Sequence, residues 1–139
     1  LTRAILRGGV AVPATERAEF ERVANAMKEP NAVFVFGSNL AGVHGAGAAK
    51  QAAEMYGAEY GKGYGFQGRA FAIPTKDESL WTMSLPTIEG FVLRFLAYAV
   101  DNPDLTFVVT KVGCGLAGLT EREIAPMFKD APANCLLPI

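Results

Sequence analysis

Histidine occurs once in the 139 residues, at His44, and cysteine twice, at Cys114 and Cys135. A tetrahedral zinc site takes four such ligands, so a structural zinc centre built from Cys and His alone is excluded. Also missing is an excess of either charge, with 13 basic residues against 14 acidic ones. A surface for a nucleic-acid backbone or an anionic membrane needs a basic surplus, and none is present. No apolar run reaches the length of a membrane span and no signal-peptide pattern is seen. A reduced, cytoplasmic protein is the expectation. What the chain does have is a 50% apolar composition, enough for one ordinary core, and 15 glycines. A single domain is expected over residues 1–139, with 1–30 as an N-terminal extension carrying one helix and 31–139 as the core.

Along the chain, residues 1–14 read as irregular, and Thr15 offers an N-cap for a helix over 15–28 with Phe20, Val23, Ala24 and Met27 on one face. Val33-Phe34-Val35-Phe36 is too short for a helix and rich in β-branched and aromatic residues. It predicts a strand buried on both faces. The glycine-rich stretch Gly37 to Gly47 then leads into a helix of small residues, Ala48 to Tyr56. Residues 57–68, with five glycines and three aromatics, read as a long ordered loop. Ala70 to Ile73 predicts a second strand ended by Pro74, which leaves Thr75, Lys76, Asp77 and Glu78 just past its tip. Ile88, Phe91, Val92, Phe95, Leu96 and Ala99 form a helical stripe. Leu105 to Val109 predicts a third buried strand, followed by a second glycine-rich loop, Thr110 to Gly118. Thr120 and Glu123 have capping-box spacing for a further helix that Pro126 must bend or restart, and Asn134 to Leu137 reads as a last strand. Strands alternating with helices predict an α/β fold, a three-layer α/β/α sandwich with a mixed, largely parallel central sheet.

Ligands of such sheets bind beyond the C-terminal ends of the strands. Three segments are expected there: Gly37 to Gly47, Pro74 to Glu78, and Lys111 to Gly118. Glycine lets backbone N–H groups approach an anion, and the start of a helix adds unpaired N–H groups and a favourable dipole, which together suit a phosphate or diphosphate. The commoner phosphate motifs do not fit. A P-loop would need Lys and Ser or Thr after Gly47, where Ala48 and Ala49 stand, and the dinucleotide fingerprint lacks its third glycine and its acidic partner. His44, Cys114, Lys76 and the aromatics Tyr60, Tyr64, Phe66 and Trp81 are weighed as chemical groups or as plain packing and surface residues.

Taken together, Gly37-Ser38-Asn39, His44 to Ala49, Ala70 to Lys76 and Val112-Gly113-Cys114-Gly115-Leu116 resemble the macro domain, an ADP-ribose-binding module, over roughly residues 33–139. The spelling is most similar to the branch that removes terminal ADP-ribose from protein carboxylates. Val33 to Ala49 also looks like small, uncharacterised bacterial and phage proteins. The resemblance implies that Gly45, Ala46, Gly47 and Ala48 clamp a diphosphate together with Gly113, Cys114, Gly115, Leu116, Ala117 and Gly118. It also implies that Gly37, Ser38 and Asn39 lie near the distal ribose. In that branch a lysine matching Lys76 attacks the anomeric carbon, a role that the neutral amine can fill. No cofactor is implied. Two departures stand out. Ala117 occupies the position of the branch's product-releasing aspartate, and residues 1–32 hold no counterpart of the Gly-Asp-Ile motif that reads adenine. Three expectations follow in order. The first is binding of ADP-ribose or a related nucleotide diphosphate, free or carried by a macromolecule. The second is an ADP-ribosyl hydrolase using Lys76 or a water held near Asn39 and His44. The third is a degenerate macro fold serving as an interaction module.

Overall fold

The computed structural model describes residues 6–7, 10–11 and 14–138, with side chains described from Glu16 onward. A short antiparallel ribbon, β1 (Leu6–Arg7) with β2 (Val10–Ala11), precedes helix α1 (Ala14–Ala26). The irregular stretch expected over 1–14 therefore contains a ribbon, and its remaining residues lie outside the described ones. Then come β3 (Ala32–Asn39), α2 (Gly47–Met55), β4 (Gly65–Gln67), β5 (Ala70–Lys76), α3 (Leu85–Asp101) and β6 (Thr106–Val109). A short α4 (Glu121–Ile124) runs into a 3-10 turn at Ala125–Phe128, and β7 (Cys135–Leu136) closes the chain.

The main sheet has the order β4-β5-β3-β6-β7. All pairs are parallel except β4 with β5. The alternation in β3 assigns its two faces. Val33 and Val35 join Phe71, Ile73, Phe107 and Val109 beneath Ile88, Val92, Phe95 and Ala99 of α3 and beneath Ile124, Met127 and Phe128. Phe34 and Phe36 face the other way, with Ala70, Ala72 and Val108, beneath Val23 of α1, Met27 just after it, and Ala49 and Ala52 of α2. The result is a three-layer α/β/α arrangement. Alanines on both β5 and α2 leave room for α2 to lie close over Phe34 and Phe36.

Two boundaries differ from the sequence expectation for identifiable reasons. Pro74 does not end its strand, which continues to Lys76. On one side β4 stops opposite Ala72, and on the other the ladder to β3 shifts register just after the Ser38–Pro74 pair, so the missing N–H costs little there. The long loop 57–68 contains the edge strand β4. Gln67, almost wholly buried, organises the rest of it by accepting from the Glu59 N–H (2.8 Å) and donating to the carbonyls of Lys62 (3.1 Å) and Gly65 (3.2 Å). Its aromatics pack on the core: Tyr64 edge-on against Phe71 and Phe66 stacked on Tyr98. Elsewhere the capping box of Thr120 and Glu123 is formed, and Pro126 converts the following turn to 3-10 geometry.

Candidate functional site

The connections out of the central strand set the position of the site. From β3 the chain crosses to β5 on one side, and from β5 it crosses to β6 on the other, so the carboxyl ends of β3 and β6 form a topological switch point. A cleft of about 730 Å³ opens there. That volume lies in the range of roughly 300–1,000 Å³ usual for small-molecule sites. It runs along the strand order, from Lys76 at the tip of β5, past Gly37 to Asn39 of β3, to Thr110 and Lys111 beyond β6 and on to Glu16, Glu19 and Phe20 of α1.

Two glycine-rich segments meet across it. A Cβ on Gly37 would stand 3.2 Å from the backbone nitrogen of Gly113, so a side chain there would press on the second loop where it closes over the strand end. Leu116 reaches from the second loop to within 3.8 Å of where a Gly47 Cβ would be. At the start of α2 the N-cap residue is Ala46, which has no side chain to cap the helix. Consecutive N–H groups from Gly45 to Ala49 therefore have no acceptor among the described residues. The same holds in the second loop for the N–H groups of Gly113, Gly115, Leu116 and Ala117. Such groups, with a helix dipole behind one set, form an anion-binding concavity.

Of the residues assigned to a ligand or to catalysis from the sequence, all line this cleft except His44 and Gly118. Several of them are engaged by the protein itself. The Asn39 amide donates to the Val43 carbonyl and accepts from the Val43 N–H, both at 2.9 Å. The Ser38 hydroxyl donates to the Gly63 carbonyl, and the Ser38 carbonyl accepts from the Thr75 hydroxyl (3.3 Å). These bonds hold the first loop in shape. His44 is wholly buried, edge-on to Phe36 at 5.4 Å between ring centroids and tilted against Tyr60 at 5.6 Å. Neither of its nitrogens has a hydrogen-bond partner among the described residues. Asp77, next to Lys76, does not reach the cleft: one carboxylate oxygen accepts from the N–H groups of Ser79 and Trp81.

The charges lining the cleft are mostly neutralised locally. Lys111 pairs with Glu121 at 2.6 Å, and the hydrogen bond it donates to that carboxylate is the main reason its pKa is raised. Glu19 pairs with Arg22 at 2.5 Å. The side-chain ammonium of the half-buried Lys76 makes no ion pair or hydrogen bond among the described residues. Cys114 is half-buried in the second loop, and burial raises its thiol pKa, which keeps it in the less nucleophilic form. No group of three His, Cys, Asp or Glu side chains suited to a metal occurs among the described residues.

Sequence reasoning missed three parts of the cleft. Glu16, Glu19 and Phe20 bring α1 into it as a wall, and Gln51 enters from α2. Leu80 enters from the turn after β5, where it adopts φ +68. That strained turn is tied to the second loop by the Thr82 hydroxyl, which donates to the Ala117 carbonyl at 2.8 Å. The i, i+4 spacing of Glu16 and Phe20 was the signal available for α1, but it does not show what the face covers. Tyr60, Tyr64, Phe66 and Trp81 do not line the cleft. Comparison with protein-family models, curated proteins and solved structures finds no match to this chain. No helix among the described residues is long and apolar enough to cross a membrane.

Proposed function

We propose that this cleft binds ADP-ribose or a closely related nucleotide diphosphate, free or carried on a macromolecule. The observation that carries the reading is the convergence of two sets of N–H groups without an acceptor among the described residues, those of Gly45 to Ala49 and those of Gly113, Gly115, Leu116 and Ala117, on one cleft at the switch point of the sheet. A diphosphate has two anionic centres, one for each loop. Calorimetric titration with ADP-ribose tests this. Saturable binding is expected for the native chain and none for Gly47→Glu, whose carboxylate both fills and repels at the anion position. Gly47 is exposed, and its Cβ position meets only the Leu116 side chain at 3.8 Å. Its φ of +59 adds backbone strain to that variant, so its unfolding temperature is recorded alongside. Equal affinity in the two proteins contradicts the site.

A second reading, hydrolysis of an ADP-ribose linkage, is favoured by Lys76, an ammonium without a partner where β5 opens into the cleft. Ala117 leaves the second loop without a carboxylate at that point, and Asp77 is held in its own turn. Binding therefore stands ahead of turnover. Release of ADP-ribose from a modified protein that Lys76→Ala abolishes would establish the enzyme, while activity unaffected by that change would remove Lys76 from the chemistry.

A further inference from the structure

The diphosphate reading leaves open which part of the ligand lies at each end of the cleft. Gly37 and Gly113 meet above β3, the central strand, so a diphosphate held there has one flank over the β5 tip, where Lys76 stands. Its other flank points past β6 toward α1. That helix is anchored through its C-terminal half. Arg22 donates to the Val109 carbonyl at the end of β6 (2.7 Å), and Arg69 donates to the carbonyls of Met27 (3.0 Å) and Glu29 (2.9 Å) just beyond its C-terminus.

On this anchored wall Phe20 is 54% exposed although it lines the cleft. An aromatic ring kept half in water, with no ring stacked on it among the described residues, is a surface on which a planar ring can stack. From α2, on the same face of the sheet, comes Gln51, half-buried, whose amide makes no hydrogen bond among the described residues. A glutamine amide offers a donor and an acceptor side by side, the pattern that pairs with the amino group and ring nitrogen of adenine.

Building on the diphosphate reading, we infer that α1 forms the nucleobase seat, with Phe20 stacking on a purine ring and Gln51 reading its amino edge. The base recognition absent from residues 1–32 as a motif is then supplied by a helix face. Lys76 is left to the ribose at the other flank.

The test compares AMP, UMP, ADP-ribose and inorganic pyrophosphate by titration on the native chain and on Phe20→Ala, Phe20→Trp and Gln51→Ala. Phe20→Ala is expected to weaken AMP and ADP-ribose about tenfold, the order that loss of one base-stacking ring gives, with pyrophosphate unchanged. Phe20→Trp is expected to retain the affinity, and Gln51→Ala to narrow the preference for AMP over UMP. Because Phe20 is exposed, its removal leaves both core clusters intact, which unfolding temperatures verify. If ADP-ribose binds and Gly47→Glu abolishes it, but both alanine variants bind AMP as the native chain does, the base seat is refuted and the diphosphate grip stands. If the native chain binds none of the four compounds, both fall.

Discussion

The two glycine-rich loops look alike in the sequence and are built for different purposes. The first packs against the protein itself: a Cβ on its Gly42, already at φ +72, would overlap the backbone of Gly61, and one on Gly63 of the facing 57–68 segment would overlap that of Asn39. Asn39, Ser38 and the buried His44 complete the anchorage, and only Gly45 to Ala49 face the cleft with free N–H groups. In the second, Gly115 and Gly118 face open space and Leu116 is 69% exposed. Only Gly113 is packed, against Leu119, Thr75 and Ile124. The comparison teaches that glycine content marks where a backbone comes close to something, which is the protein itself in one loop and solvent or a ligand in the other.

The largest test of that contrast is a pair of substitutions. Gly42→Val is expected to destabilise the fold by about 2–5 kcal/mol, from left-handed strain and overlap with the facing loop. Gly115→Ala is expected to change stability by less than about 0.5 kcal/mol, as a surface substitution into open space does. Denaturant unfolding measures both, and equal losses would erase the distinction between the loops.

A smaller effect probes the anchored loop from inside. Replacing a buried polar group that lacks partners by an apolar ring of similar shape is close to neutral. His44→Phe is therefore expected to shift stability by less than about 1 kcal/mol in either direction, because neither imidazole nitrogen is bonded. ADP-ribose affinity is expected to be unchanged. A loss of binding without a loss of stability would instead place His44 in the function.

Those elements that depend on local pattern were legible in the sequence. The Val33–Phe36 run, the Ile88–Ala99 stripe and the Thr120–Glu123 capping box each carry their own period or cap, and each formed. What depends on contacts distant in sequence was not legible. β4 is a three-residue strand defined by its partner β5, and Pro74 sits in its strand beyond the reach of β4, whose first residue Gly65 pairs with Ala72. The cleft-lining segments after β3, β5 and β6 were readable, since glycines at strand ends are a local sign. The part played by α1 was not, because an amphipathic face at Glu16 and Phe20 does not reveal that Arg22 fastens it beside β6. His44 shows the converse: the sequence leaves it open between a chemical group and a plain loop position, and its burial against Phe36 and Tyr60 is a contact that only the fold supplies.

The central claim is that both loops grip one diphosphate through backbone N–H groups, and amide resonances report on that contact directly. In a proton–nitrogen correlation spectrum recorded during ADP-ribose titration, the amides of Ala46 to Ala49 and of Gly113 to Ala117 are expected to shift together with a single dissociation constant. Shifts confined to one loop, or absent from both while the ligand binds elsewhere, would contradict the account.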